Sequence, residues 1–200
     1  MSEQDRKRWT QRYAEGAYAE RSHPSRLLEQ KLGEIRRQHV AGPVPRALDL
    51  ACGRGRNALF LAEQGYQVDA VDIASNALMT APQVAEPETA DIRWIEHDLD
   101  LGLPETCTDY DLILIVRYLD LALLGQASDR LRPGGSLLCE VHLQTDQDVA
   151  GPGNPDFRVA PGALREAVPG LEILYEEEGL VTDPDGRQVA LARIIARRPA

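Results

Sequence analysis

Ala47-Leu-Asp-Leu-Ala-Cys-Gly-Arg-Gly-Arg-Asn57 decides the fold. A short apolar run, Ala47–Leu50, breaks at Gly53-x-Gly55, and a new apolar pattern with helical spacing opens at Asn57. That is a buried strand turning sharply into a helix, with glycines where the backbone must turn tightly and let another group approach. The helix N-terminus beyond the turn offers unpaired N–H groups to a ligand.

Outward from this unit the same alternation repeats. Strands are expected at Ala47–Leu50, Gln67–Asp72, Ile92–His97, Leu112–Val116 and Ser136–His142. Helices are expected between them at Asn57–Gln64, Ser75–Ala81 and Leu121–Leu131. Strand and helix in turn imply βαβ units and a parallel sheet. Upstream, residues 1–40 read as an N-terminal helical segment in two pieces. In the second, Ser25 is placed to cap Arg26–Gln38, whose Leu27, Leu28, Leu32 and Ile35 share one face. Ala41-Gly-Pro-Val-Pro45 then stops any helix.

Downstream of His142 the rhythm changes. Residues 143–161 are polar and rich in Gly, Pro and Asp, long enough to suggest a lid loop. A short helix, Gly162–Val168, precedes two strands, Leu171–Gly179 and Gln188–Arg197, joined through the turn residues Asp183-Pro-Asp-Gly186. The expected whole is one α/β domain over residues 1–200. Its doubly wound, Rossmann-like sheet has seven mostly parallel strands and an antiparallel C-terminal hairpin.

Composition narrows the function. Two hundred residues, 43% of them hydrophobic, suffice for one core, since a domain of this size buries roughly 70% of its unfolded surface. A net charge of −10 argues against nucleic acid as partner, because phosphate binding needs clustered positive charge. No apolar run approaches membrane-spanning length, and the charged N-terminus lacks an export signal, so no membrane partner and a cytoplasmic location are expected. Cys52, Cys107 and Cys139 are scattered, which favours reduced thiols over disulfides or a bound metal.

The candidate cofactor site centres on two acids. Asp72 stands nineteen residues beyond Gly53 at the end of the next strand, where a residue accepting from ribose hydroxyls belongs. Asp49 lies just before the glycine turn. There a carboxylate would repel a dinucleotide's pyrophosphate but attract the cationic amino group of S-adenosyl-L-methionine. Asp98, after the third strand, is placed to accept from an adenine amino group, or it is a solvated loop acid. Ala51, Gly53, Gly55, Asn57, Ile73 and Leu99 complete the expected cofactor lining.

Asp49-Leu-Ala-Cys-Gly-Arg-Gly55, Asp72, Asp98, Tyr110-Asp-Leu-Ile-Leu114 and Leu131-Arg-Pro-Gly-Gly135 together resemble the ordered motifs of class I methyltransferases. Trp9-Thr-Gln-Arg-Tyr13, Arg117-Tyr118-Leu119 and Asn154-Pro-Asp-Phe157 resemble small bacterial members akin to the tellurite-resistance methyltransferases. The resemblance implies S-adenosyl-L-methionine as cofactor, held by the glycine loop and the two acids. It leaves the small-molecule acceptor unnamed.

On the acceptor side, Arg117, Tyr118 and His142 end the fourth and fifth strands, and Phe157 and Arg158 come from the long loop. They are candidates to surround a small anion or soft nucleophile, with His142, Arg117 and Tyr118 catalytic. Each has a plainer reading: Arg117 pairing with an acid such as Asp120, His142 packed and hydrogen-bonded, Phe157 pinning the loop. A nicotinamide-dependent oxidoreductase and a non-catalytic cofactor-binding regulator are the alternative functions.

Overall fold

The computed structural model describes residues 3–19, 21–38, 44–81 and 91–200. Two helices, α1 (Glu3–Ala14) and α2 (Arg26–Gln38), precede a single seven-stranded sheet. Its strands are β1 (Arg46–Leu50), β2 (Gln67–Asp72), β3 (Ile92–Glu96), β4 (Tyr110–Val116), β5 (Leu131–His142), β6 (Glu172–Thr182) and β7 (Gln188–Arg197). They lie in the order β3-β2-β1-β4-β5-β7-β6. The first five run parallel, and β7 inserts antiparallel between β5 and β6. Strand order reverses between β1 and β4, so a crevice opens at their carboxyl ends. The connecting helices are α3 (Arg56–Glu63), α4 (Ser75–Thr80), α5 (Leu121–Asp129) and α6 (Ala163–Glu166).

Central strands bury both faces, which is why β1 and β4 read as nearly continuous apolar runs. On one face Leu27, Leu28, Leu32 and Ile35 of α2 pack with Leu61 of α3 against Leu112 and Leu114. On the other, Leu123 and Leu124 of α5 and Leu164 of α6 pack against Ile113, Ile115 and Ile194. Burying each such side chain stabilises by about 1.5–3 kcal/mol.

The expected elements all appear, with shifted ends. Helix α5 stops at Asp129 because Leu131 already pairs with Tyr110, and β5 therefore starts five residues before Ser136. A register shift in β4 between Tyr110 and Leu112 absorbs the extra residues. Helix α6 keeps only its middle, Ala163–Glu166. Ser25 precedes α2 as expected, but its hydroxyl caps nothing. Oγ is buried without a partner among the described residues, and only its carbonyl accepts, from Glu29 N–H. Of the helix-stopping stretch 41–45, residues 41–43 lie outside the described residues. Among the described residues no helix is long and apolar enough to cross a membrane.

Helix α1 lies across the carboxyl edge of the sheet. Asn76 Nδ2 of α4 donates to Thr10 O (2.8 Å), Arg54 Nη2 donates to Tyr13 O (2.9 Å), and Arg6 pairs with Glu96 of β3 (2.7 Å).

Candidate active site

The glycine loop is held open by left-handed backbone at Ala51, Gly53 and Gly55. Gly53 is doubly constrained: φ is +57°, and a Cβ there would sit 2.6 Å from the Tyr13 hydroxyl. At Gly55 a Cβ would run into the Trp94 ring. Asp72 ties the loop to the end of β2, Oδ2 accepting from Gly53 N–H (2.8 Å) and Oδ1 from Ala74 N–H (2.9 Å). Burial raises its pKa, and these N–H donors oppose the rise.

Asp49 is 1% exposed, and its Oδ2 has no hydrogen-bond partner among the described residues. Burial pushes its pKa up to about 7, against the pull of Arg56 and the Ala58 N–H. A buried carboxylate oxygen left unpaired is costly. An ammonium group docked there would satisfy it, so the donor set suits the amino-acid end of S-adenosyl-L-methionine. Ile73 and Leu99 are buried nearby in sequence to the two strand ends. Asp98 accepts from Asp100 N–H (3.1 Å) as the cap of a 3-10 turn, Leu99–Leu101. Asn57 points elsewhere: its Oδ1 accepts from Ser25 N–H (2.8 Å), joining α3 to the start of α2. Cys52, within the loop, is a buried free thiol.

The acceptor candidates divide. Arg117 occupies a left-handed backbone conformation (φ +63°) rare for a non-glycine residue. Its Nε donates to Glu140 (3.3 Å), Nη2 to Asp183 (2.6 Å) and Nη1 faces His142 Nε2 (3.3 Å). Its partners are thus Glu140 and Asp183 rather than Asp120, whose side chain instead caps α5. Since the guanidinium only donates, His142 Nε2 must accept and Nδ1 carries the proton, yet Nδ1 has no partner among the described residues. Burial and the cations Arg117, Arg158 and Arg21 press the His142 pKa down to about 3.

Arg158 approaches His142 but spends its donors on the Pro152 and Leu143 carbonyls (both 3.0 Å), fastening the 143–161 loop. Leu143 and Val159 bridge the two ends of that loop. Tyr118 belongs to the other side, where burial and the carboxylates of Asp120, Asp98, Asp5 and Asp72 raise its pKa to about 12. Phe157 is 44% exposed, with the Arg8 guanidinium 5.4 Å from its ring centroid. The site thus brings Arg117, His142 and Arg158 together and keeps Tyr118 and Phe157 apart from them. The sequence reading passed over Tyr13 as a site residue, along with Arg21 and Arg56. The aromatic pair Trp9 and Tyr13, four apart on α1, was the available signal for the first.

Residues 47–135 match a family model described as a methyltransferase domain. Over those residues the chain is similar to methyltransferase domains. Its fold matches the crystal structure of TehB from Haemophilus influenzae with a TM-score of 0.70, at 23% identity, over 94% of this chain and 67% of that one. In sequence it is 29% identical over 168 residues to hemagglutinin 1 of Eikenella corrodens, covering 77% of this chain and 55% of that protein. It is 26% identical over 164 residues to a probable S-adenosyl-L-methionine-dependent methyltransferase, TehB, of Haemophilus influenzae, covering 76% and 57%. The chain spans about half the length of the curated relatives it matches.

Proposed function

We propose that the chain is an S-adenosyl-L-methionine-dependent methyltransferase acting on a small molecule that carries negative charge. The observation that carries the reading is the buried, unpartnered Oδ2 of Asp49 beside the glycine loop. It is complementary to an ammonium group and hostile to a pyrophosphate, which favours a sulfonium nucleoside over a nicotinamide dinucleotide. When bound, the cofactor supplies a methyl group already activated on sulfur. Asp49 would hold its amino group, the loop from Ala51 to Gly55 its tail, and Asp72 the ribose through lone pairs left free by the Gly53 and Ala74 N–H groups. Ile73, Asp98 and Leu99 would frame the adenine.

What remains for the protein is alignment of the nucleophile and exclusion of water, which can lower a barrier by several kcal/mol. Arg117 and neutral His142 at the ends of β4 and β5, with Arg158 from the 143–161 loop, support an anionic acceptor. A histidine with a pKa near 3 is a poor base at neutral pH. This favours an acceptor that is nucleophilic without losing a proton, such as a thiolate or another soft anion. Calorimetric titration with S-adenosyl-L-methionine, S-adenosylhomocysteine and NAD tests the reading. The first two should bind and NAD should not; tight NAD binding with no response to the methyl donor would overturn it.

A further inference from the structure

Beside the glycine loop lies a cavity of about 240 Å³, between the start of α2, the first residue of α3, the ends of β4 and β5, and the β6–β7 turn. Five arginines line it against three carboxylates, Glu140, Asp183 and Asp185, in a chain whose net charge is −10. All three carboxylates are engaged. Glu140, 2% exposed, is shared by Arg117 (3.3 Å) and Arg193 (3.0 Å). Asp183 is shared by Arg117 (2.6 Å) and Arg21 (3.9 Å), and Asp185 by Arg187 (2.6 Å) and Arg21 (3.3 Å).

Arg56 is left over. Its Nη1 donates to the His23 carbonyl (2.7 Å), and no carboxylate among the described residues pairs with it. Burial lowers its pKa, with Arg117 and Arg21 adding to the fall and the more distant carboxylates of Glu140 and Asp49 opposing it. A second wall group is also unspent. Ser25, 2% exposed, lines the same cavity, and its hydroxyl, buried in the wall, has no partner among the described residues.

We propose that this cavity is an oxyanion subsite in which the Arg56 guanidinium and the Ser25 hydroxyl grip a carboxylate or similar small oxyanion. A planar guanidinium donates two parallel bonds to such a group, and the hydroxyl adds a third. The oxyanion has two possible sources under the methyltransferase reading, on which the choice between them rests. One is the carboxylate of the cofactor's amino-acid tail, with Asp49 taking the ammonium of the same tail. The other is an anionic group on the acceptor.

The test pairs wild type with Arg56→Met and Ser25→Ala. Removing the Ser25 hydroxyl leaves its backbone bond to Asn57 intact, so this variant keeps the fold if Arg56→Met does not. Each is titrated with S-adenosyl-L-methionine, with its decarboxylated analogue, and with sulfate in the presence of saturating S-adenosylhomocysteine. If the cofactor supplies the oxyanion, wild type should bind the decarboxylated analogue at least tenfold more weakly, and Arg56→Met should bind both alike. If the acceptor supplies it, sulfate should still bind the S-adenosylhomocysteine complex and lose at least tenfold in affinity in Arg56→Met. Ser25→Ala should show the same change at a few-fold. Variants that keep wild-type discrimination and wild-type sulfate affinity overturn the subsite while leaving donor binding, and so the methyltransferase reading, in place. A wild type that binds no methyl donor but binds sulfate through Arg56 does the reverse.

Discussion

In the proposed site, protonation of Asp49 should tie cofactor affinity to pH. Its folded pKa of about 7 lies above the ordinary carboxylate value, so the neutral form is the one the empty fold prefers. The stability this gives is complete below about pH 4 and is lost as pH rises through 7. An ammonium on Oδ2 reverses the preference, and binding below pH 7 must release a proton. Affinity for S-adenosylhomocysteine should therefore rise by up to about tenfold per pH unit from 5 towards 7, levelling off before the ligand's own amino group titrates near 8. Asp49→Asn should flatten the profile; calorimetry in two buffers of different ionisation enthalpy measures the proton directly, and pH-independent wild-type binding would sink the assignment. His142 makes the opposite statement. Its folded pKa of about 3 lies below the usual 6.5, so its contribution to stability is present above 6.5 and lost as pH falls towards 3. Urea midpoints should drop less between pH 7 and 4.5 in His142→Gln than in wild type. The same substitution should cost far less than the hundredfold expected for loss of a general base. A hundredfold fall in kcat with an altered pH profile would restore His142 as the base.

At the scale of elements, α1 and the glycine loop form one unit. Tyr13 reaches over Gly53 so closely that either residue restricts the other. Gly53→Ala should cost about 1–2 kcal/mol for its left-handed backbone, plus a steric cost set by the tyrosine hydroxyl. In a Tyr13→Ala background the steric part should vanish, giving a coupling of about 0.5–3 kcal/mol in a double-mutant cycle; additive effects would mean the contact carries no energy. The 143–161 loop is the other element laid over the site, and Arg8 on the Phe157 ring links the two. With both ends fastened by Arg158 and the Leu143–Val159 bridge, and Pro152 held by Arg158, its mobile part should be residues 153–157. Proteolysis there should slow when cofactor and a small anion are present, as for a lid that closes over its ligands. Equal rates would leave it a surface loop. The elements themselves were legible where one physical signal dominated: β2, β7 and α2 keep their expected limits because periodicity and flanking glycine or proline agree. The junction of α5 and β5 was not. Arg132-Pro-Gly-Gly135 reads as a turn, yet Gly135 lets the chain pass so close to the Tyr110 carbonyl that the stretch pairs as strand. Ser25 misled for a related reason, since a cap is a geometry and the residue type alone does not fix it.

Over the whole molecule, the glycine loop and its flanking acids could be located in advance because one βα turn supplies most of them. The arginine-lined cavity could not, because its walls come from the start of α2, the start of α3, β4, β5 and the last hairpin, and no local pattern announces their meeting. The topology that assembles those walls also leaves β6 at one edge of the sheet, eleven residues long with β7 as its paired neighbour. A long free edge is a template for another chain. Along β6, Glu176, Glu177 and Glu178 are exposed in succession, and because neighbouring side chains alternate in direction they put negative charge on both faces of the strand. Any strand docking edgewise would have to strip water from glutamates above and below at once. The C-terminal hairpin is thereby kept from becoming the seed of a growing intermolecular sheet.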